Sequence, residues 1–326
     1  METNINNAIS INSIEGFKIG SAEDGLGGTG VTAIISENGA VAGVDVRGGG
    51  PATRETDLLK PENMVQEIHA VVLSGGSAYG LESSSGVMEY LENQGIGFDV
   101  GVCKVPIVCG ASLFDLHVAD HKARPNKEMG KLAAENAFKA DKSFKSGNYG
   151  AGTGATIGKY KGPDRMMKSG IGASAVEIEG LKIGAISAVN ALGDVFDLQG
   201  VQIAGLLNRD KTGLSSTYDE MTGDMAKSVN VFTGNTTISC IITNAKLTKA
   251  QCTKLASIAH DGYARAIKPV HTTADGDTIF VLAAGEVEVN FDALAAAATD
   301  QIHRAIIDGV ISSEDAYGVI SAKSLI

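Results

Sequence analysis

The segment Gly234-Asn235-Thr236-Thr237 has the residue types that self-cleavage of a peptide bond requires. From spacing alone it predicts a turn that leads into a strand, with the threonines present for their β propensity. A strained turn can also place a threonine hydroxyl against the preceding carbonyl. Attack there gives an ester, and its hydrolysis frees a threonine whose α-amine has a reference pKa of about 7.7–8.0. That amine can serve as general base for its own hydroxyl, so no histidine is needed.

Two acidic residues follow downstream in Asp275-Gly276-Asp277. Adjacent carboxylates on a turn can hold an ammonium group and steer a hydroxyl. The same spacing fits a tight turn before a strand at Thr278, and taken alone this second interpretation is favoured.

Two glycine-rich segments resemble phosphate-binding loops but lack the full pattern. In 152–160 the first P-loop glycine would fall at Thr153, and Tyr160 stands where Mg²⁺ binding needs Ser or Thr. Lys159 is left as either a placed charge or a surface lysine. The turn Gly75-Gly76 lacks the GxGxxG spacing, which favours glycines that let a helix pack tightly on a sheet.

The histidines and cysteines predict no metal site and no catalytic triad. His117 and His121 are four residues apart, as a helical zinc site would need, but the HExxH pattern is absent and solvated histidines are favoured. Cys240 could pair with His271, although a small core cysteine is the better interpretation. The remaining histidines are isolated in the sequence: His69, His260, His271 and His303.

Composition limits the class of protein. The 326 residues carry a formal net charge of −11, from 27 basic and 38 acidic side chains, without a basic cluster. A nucleic-acid partner is therefore not expected. No apolar run is long enough to cross a membrane, no secretory signal is visible, and four scattered cysteines fit a reducing compartment. We expect a cytoplasmic protein without a cofactor.

Periodicity in the first half predicts short strands and packed helices. Apolar runs at 31–35 and 40–44 flank Asn38-Gly39, which is a hairpin signal. The run 70–74 predicts a buried strand, and 126–140 predicts a helix with Leu132 facing inward.

In the second half, 206–233 lacks periodicity and predicts a long loop. A strand is predicted at 236–243 and another at 278–284. Between them Thr248 and Gln251 form a capping box for a helix that Pro269 stops. A last helix at 291–308 is predicted to end at Gly309. The mixed order of helices and strands favours α+β layers in a single domain, 1–326.

Several motifs occur together in a characteristic order along nearly the whole chain. They are DVRGGGPATRETD at 45–57, LSGGSAYGL at 73–81, GAGTG at 150–154 followed by Lys159, Val189-Asn190, GNTTI at 234–238 and HTTADGDT at 271–278. With these motifs in this order, the chain resembles the L-aminopeptidase/D-esterase family. That family includes β-peptidyl aminopeptidases and the 6-aminohexanoate-oligomer (nylon-oligomer) endo-hydrolases.

The resemblance implies a four-layer αββα sandwich, similar to N-terminal-nucleophile hydrolases. It implies cleavage between Asn235 and Thr236 into an α chain, 1–235, and a β chain, 236–326. It also implies a homo-oligomer, a tetramer of αβ units.

The resemblance also assigns roles to single residues. Thr236 matches the nucleophile, and Asp275 and Asp277 match the pair that orients it. Asn190 matches the asparagine that stabilises the oxyanion. Lys159 matches a lysine near the nucleophile in the nylon-hydrolase branch. That branch has a tyrosine where this chain has Phe114, so a phenol that could donate a hydrogen bond is missing here.

The expected activity is hydrolysis of an amide bond in a short peptide or an ω-amino acid oligomer. Two alternatives stay open. An acyl transferase could use a similar self-cleaving threonine, and an uncleaved binding protein could keep the same fold.

Overall fold

The computed structural model describes residues 7–139, 143–226 and 234–325. Within these ranges the helices are α1 Ser83–Asn93, α2 Lys127–Ala137, α3 Thr217–Gly223, α4 Lys249–Ala266 and α5 Phe291–Ile311. The strands are β1 Asn7–Ala8, β2 Lys18–Asp24, β3 Thr29–Val46, β4 Thr53–Arg54, β5 Glu67–Ser74, β6 Phe98–Asp99, β7 Lys104–Val105, β8 Val108–Ser112, β9 Thr156–Ile157, β10 Met167–Lys168, β11 Ile171–Ile178, β12 Leu181–Ala188, β13 Asp194–Phe196, β14 Gln202–Ala204, β15 Ile238–Ala245, β16 Ile267–Lys268 and β17 Thr278–Val287.

The main sheet is mixed, with strand order β1-β11-β12-β15-β17-β3-β5-β8-β4 and with β2 paired to β3. Two neighbouring pairs are parallel, β15 with β17 and β5 with β8. Strand β3 pairs with β5 and β2 through its first half and with β17 through its second half. It therefore links two halves of the sheet.

Three hydrophobic cores separate four layers. Alternate residues of a strand face opposite sides, so Cys240 and Ile242 of β15 lie in the central core while Ile241 lies in an outer core beneath α4 and α5. In β5, Val71 faces the same central core and Val72 faces the second outer core, beneath α1 and α2. The two halves of the sheet face each other across the central core, and helices cover the outer face of each half. This is the order of layers that the predicted αββα sandwich requires.

The hairpin prediction at Asn38-Gly39 is wrong. Both residues lie inside β3, which continues in one direction from Thr29 to Val46. The pairing with β5 shifts register between Ile35 and Ala40, so the Asn-Gly pair marks an irregularity in a long strand. Non-local pairing with β5 and β17 overrides the local turn signal.

Several predicted helices are present with altered details. The capping box of Thr248 and Gln251 opens α4 as predicted. Leu132 of α2 is 45% exposed, so its predicted inward orientation is wrong. Helix α5 does not end at Gly309 but continues to Ile311.

The region 206–233 was predicted to be one irregular loop, and the structure corrects part of it. Helix α3 occupies Thr217–Gly223, and the side chain of Ser216 caps it by accepting the backbone N–H of Asp219 at 3.1 Å. Residues 227–233 lie outside the described residues. Among the described residues, no helix has both the length and the apolar character that crossing a membrane demands.

Candidate active site

Thr236 lies just before β15 and its side chain faces the peptide bond that precedes it. Its hydroxyl donates a hydrogen bond to the carbonyl oxygen of Asn235. Its backbone N–H donates to the carbonyl oxygen of Asn190 at 2.8 Å. The residue is only 3% exposed. The hydroxyl is therefore held, away from bulk water, against the bond whose cleavage the sequence predicts.

A second donor reaches the same carbonyl. The backbone N–H of Gly276 donates to the Asn235 oxygen at 2.8 Å. A Cβ atom built on Gly276 would lie 2.6 Å from the Thr236 hydroxyl oxygen, so only glycine leaves room for the hydroxyl. An N–H aimed at a carbonyl oxygen stabilises negative charge that develops there. Sequence reasoning missed this donor, because the glycine between two aspartates looks like an ordinary turn residue.

Asn190 follows β12 and is completely buried. Its side-chain oxygen accepts the backbone N–H of Thr156 at 3.0 Å, and its amide nitrogen donates to the carbonyl oxygen of Phe114 at 2.9 Å. Its own carbonyl oxygen accepts from Thr236 and from the Lys159 ammonium nitrogen, the latter at 3.1 Å. Both the backbone and the side chain of Asn190 are thus fixed beside the threonine.

Lys159 is a buried group of the site and not a surface lysine. Its Nζ lies 3.4 Å from the carbonyl oxygen of Gly234. Burial lowers the pKa of Lys159 to about 7, while the carboxylates of Asp275, Asp115 and Asp277 act in the opposite direction. The amine therefore changes its charge near neutral pH.

The acidic turn lies on the other side of the threonine. Asp275 accepts the hydroxyl of Thr272 at 2.6 Å and its backbone N–H at 2.7 Å. Burial raises the pKa of Asp275 to about 6, and the neighbouring Asp277 adds to this shift. Asp277 accepts the backbone N–H of Thr237 at 2.9 Å. The Asp277 carboxylate thus holds the backbone after Thr236, and the Asp275 carboxylate holds the turn at Thr272. No bond from either carboxylate to the Thr236 hydroxyl is found among the described residues.

The glycine-rich loop after β3 closes over this turn. The N–H of Gly50 donates to the carbonyl oxygen of Asp275 at 2.8 Å, and the N–H of Gly49 donates to that of Thr272 at 3.3 Å. The motif 45–57 is therefore part of the wall of the site.

The Phe114 side chain borders the site. A Cβ atom on Gly234 would lie 2.3 Å from the Phe114 ring, so the ring packs directly on the backbone before the Asn235–Thr236 bond. The ring also stacks on His117, with centroids 5.7 Å apart. The side chain supplies an apolar surface and no donor.

Of the remaining candidates, His117 is half-buried beside the site, so the prediction that it is solvated is wrong. His117 contacts the Thr156 hydroxyl at 3.2 Å, and burial lowers its pKa to about 3. His121 is exposed, and the segment around both histidines is not helical. Cys240 is a buried core residue whose pKa burial raises. Among the described residues, no three His, Cys, Asp or Glu side chains are grouped in a way that could hold a metal ion.

A family model supports the same assignment as these motifs. The model described as peptidase family S58 matches residues 9–323. The chain belongs to this family.

Similar chains carry related names. An uncharacterized aminopeptidase from Mycobacterium leprae is 38% identical over 341 residues, covering 95% of this chain and 92% of its own. A 6-aminohexanoate-oligomer endohydrolase from Agromyces sp. is 30% identical over 311 residues, covering 90% of this chain and 83% of its own.

Solved structures share the fold. An L-aminopeptidase D-Ala-esterase/amidase from Ochrobactrum anthropi superposes with a TM-score of 0.72 at 19% identity, covering 96% of this chain and 90% of that one. Its structure is described as a variant of the Ntn-hydrolase fold. A β-aminopeptidase from Burkholderia sp. gives a TM-score of 0.69 at 18% identity, with the same coverage. The fold class is therefore confirmed, and the family supports an amide-bond hydrolase.

Proposed function

We propose that this protein cleaves its own chain between Asn235 and Thr236 and then hydrolyses amide bonds with Thr236 as an N-terminal nucleophile. The observation that carries the proposal is the contact between the Thr236 hydroxyl and the Asn235 carbonyl, to which the Gly276 N–H also donates. Nucleophile, target and oxyanion donor stand together in the uncleaved chain.

Self-cleavage begins with transfer of the Asn235 acyl group from nitrogen to oxygen. The Thr236 oxygen bonds to the carbonyl carbon, the C–N bond breaks, and the hydroxyl proton ends on the leaving nitrogen. Water then hydrolyses the ester, which leaves a carboxylate on Asn235 and restores the hydroxyl. The Gly276 N–H stabilises the negative charge on the carbonyl oxygen in both steps.

Lys159 carries the proton in the first step. A neutral amine has two N–H bonds and one lone pair. The carbonyl oxygens of Asn190 and Gly234, at 3.1 Å and 3.4 Å from Nζ, take the two N–H bonds. The lone pair is then left over, and a pKa of about 7 allows it to be free at neutral pH. It can receive the Thr236 proton once the hydroxyl turns from the Asn235 oxygen, to which it donates in this structure.

The freed α-amine takes over as general base in the second reaction. It stays beside the Asn190 carbonyl, which already binds the Thr236 nitrogen at 2.8 Å. Thr236 attacks the substrate carbonyl, and one N–H of the Asn190 side chain donates to the oxyanion. The amine passes the proton to the leaving amine, and water releases the acyl group. Asp275 and Asp277 keep the backbone around Thr236 in place, and no cofactor takes part.

The substrate class is a small amide, either a short peptide or an ω-amino acid oligomer. These classes fit the names of the relatives, an uncharacterized aminopeptidase and a 6-aminohexanoate-oligomer endohydrolase. Phe114 offers a ring where the nylon-hydrolase branch has a phenol, so we expect a preference that differs from that branch. We also expect a cytoplasmic homo-oligomer, a tetramer of αβ units.

Intact mass under denaturing conditions tests the first step. We expect fragments 1–235 and 236–326 from the wild type, and a single chain from Thr236→Ala. Thr237→Val is the matched control, because the Thr237 hydroxyl has no hydrogen-bond partner within the described residues. A Thr236→Ala protein that still divides at this bond would contradict the proposal.

Turnover of short peptide amides tests the second step, and added amines separate the alternatives. Hydrolysis by the processed wild type and none by Thr236→Ala is the expected result. Faster capture of the acyl group by an added amine than by water would indicate an acyl transferase. An intact wild-type chain without turnover would indicate a binding protein.

A further inference from the structure

A histidine stands behind the acidic turn and holds one of its carboxylates. Nδ1–H of His271 donates to Asp277 at 2.8 Å, and the backbone N–H of His271 reaches the same oxygen at 3.2 Å. The other oxygen of Asp277 accepts the N–H of Thr237 at 2.9 Å. The carboxylate therefore connects His271 to the residue that follows the nucleophile.

The Asp277 carboxylate is buried, and burial restricts the surroundings in which it is stable. Asp277 is 1% exposed, and a buried carboxylate is stable only when donors surround it. His271 adopts φ = +56°, a conformation that is uncommon for residues other than glycine, although asparagine, aspartate and histidine adopt it more often than the rest. This conformation directs both its backbone N–H and its ring N–H to one oxygen. The strained backbone thus has a local purpose at the site.

Aromatic neighbours fix the His271 ring. It contacts His260 edge-on, with centroids 4.7 Å apart, and stacks on Tyr263, with centroids 5.9 Å apart. The Tyr263 hydroxyl lies 3.1 Å from the carbonyl oxygen of Thr237 and 3.3 Å from that of Thr278. Through Tyr263 the cluster therefore binds the residue before β15 and the first residue of β17, where the nucleophile and the acidic turn join the sheet.

We propose that His271 is a positioning residue that aims Thr236 by holding Asp277 and, through it, the N–H of Thr237. His271 touches none of the reacting atoms. Its effect on rate rests on the proposed function, whereas its effect on the Thr237 N–H does not. Without the imidazole, the peptide unit after Thr236 loses its fixed acceptor, and the hydroxyl no longer points steadily at the Asn235 carbonyl.

Two substitutions at His271 separate the hydrogen bond from the backbone conformation. Glycine accepts positive φ but has no side-chain donor, whereas asparagine also tolerates positive φ and has an amide nitrogen at the same bond distance from the backbone as Nδ1. We expect His271→Gly to slow self-cleavage at least tenfold and to lower kcat with little change in KM. His271→Asn restores most of both rates.

Hydrogen exchange at the Thr237 amide gives a readout that needs no activity. We expect faster exchange in His271→Gly and near wild-type exchange in His271→Asn. His69→Ala is the control, because His69 is also buried but bonds through Nδ1 to the N–H of Ile107 in the other half of the sheet. It lowers the melting temperature without altering self-cleavage or exchange at Thr237.

The outcomes are distinct. Wild-type rates and exchange in His271→Gly would overturn the inference, as would His271→Asn that is as slow as His271→Gly. Faster Thr237 exchange in His271→Gly beside a wild type that never cleaves would refute the proposed function while supporting the contact.

Discussion

At the scale of single residues, the site brings a lysine and three carboxylates into a volume without bulk water. Burial lowers the pKa of Lys159 to about 7 and raises that of Asp275 to about 6. Both shifts favour the neutral form, as desolvation does for acids and bases alike. Lys159 and Asp275 therefore change charge within the physiological range, which is typical of groups that transfer protons.

The lowered pKa of Lys159 predicts how the rate of self-cleavage depends on pH. Below pH 7 Lys159 is protonated and its lone pair is unavailable; above pH 7 it is free. The rate should therefore rise about tenfold per pH unit below 7 and level off above it. Mass spectrometry of freshly folded chain at several pH values measures this rate. Lys159→Met should be slow and much less sensitive to pH, and a rate in the wild type that does not change between pH 6 and 8 would contradict the role of the lysine.

Gly276 gives a second prediction at this scale. In Gly276→Ala the new methyl group would stand 2.6 Å from the Thr236 hydroxyl oxygen, so the hydroxyl must move. A displacement of about 1 Å can reduce a rate about 100-fold, and we expect that loss in self-cleavage. The methyl group would also lie 2.9 Å from the carbonyl oxygen of Gly50, so we expect some loss of stability as well. Gly25→Ala is the control, since a Cβ atom there meets nothing within 4 Å. Wild-type cleavage in Gly276→Ala would mean that this close contact does not matter.

The residue types of the site were predictable, but their contacts were not. Thr236, Lys159 and Asn190 were identified through motifs, and the structure places them together. His271 was judged isolated because nothing in its spacing reveals that a left-handed backbone turns it toward Asp277. The part played by Gly276 is likewise a property of backbone direction, which side-chain patterns do not encode.

At the scale of elements, prediction succeeded where the signal is local. Helix α4 carries its capping box in its own first turn, so Thr248 and Gln251 were sufficient to predict its start. Strand β3 is the opposite case. Its partners β5 and β17 lie outside the local segment, and pairing with them keeps it running in one direction through an Asn-Gly pair that would otherwise reverse the chain.

In the C-terminal helix α5, Gly309 has a packing role, although in the sequence it looks like a residue that ends a helix. A Cβ atom on Gly172 of β11 would lie 2.1 Å from the backbone nitrogen of Gly309 in α5. The helix and the strand thus approach with backbone against backbone, and Gly309 is needed within the helix and not at its end. The sequence pattern for a helix terminus does not distinguish these two uses of glycine.

This close approach predicts a stability effect without a direct effect on the site. Gly172→Ala forces α5 away from β11, and overpacking of this kind destabilises by about 1–3 kcal/mol. Urea unfolding measures this loss when each variant also carries Thr236→Ala, so that the chain should stay intact. Gly223→Ala is the control, because its Cβ atom would meet nothing within 4 Å. Equal stability of the two variants would show that α5 can move away from β11 with little loss in the free energy of unfolding.

At the scale of the whole molecule, the proposed cleavage divides a sheet without breaking a strand. The fragment 236–326 contributes β15 and β17, which lie next to each other in the middle of the sheet. Strand β12 of the other fragment flanks β15, and β3 flanks β17. Helices α4 and α5, also in 236–326, cover an outer core that strands of both fragments line. Hydrogen bonds and apolar burial therefore join the fragments along both sides.

The processed protein should consequently behave as one unit. We expect fragments 1–235 and 236–326 to elute together in native size-exclusion chromatography, at the volume of the uncleaved Thr236→Ala chain, and to separate only in denaturant. Because the central core draws residues from both fragments, they should also unfold in a single transition. Elution of 236–326 on its own would mean that the shared sheet does not hold after cleavage. The acidic turn, which lies in that fragment, would then leave Lys159 and Asn190 behind, and activity would be lost with it.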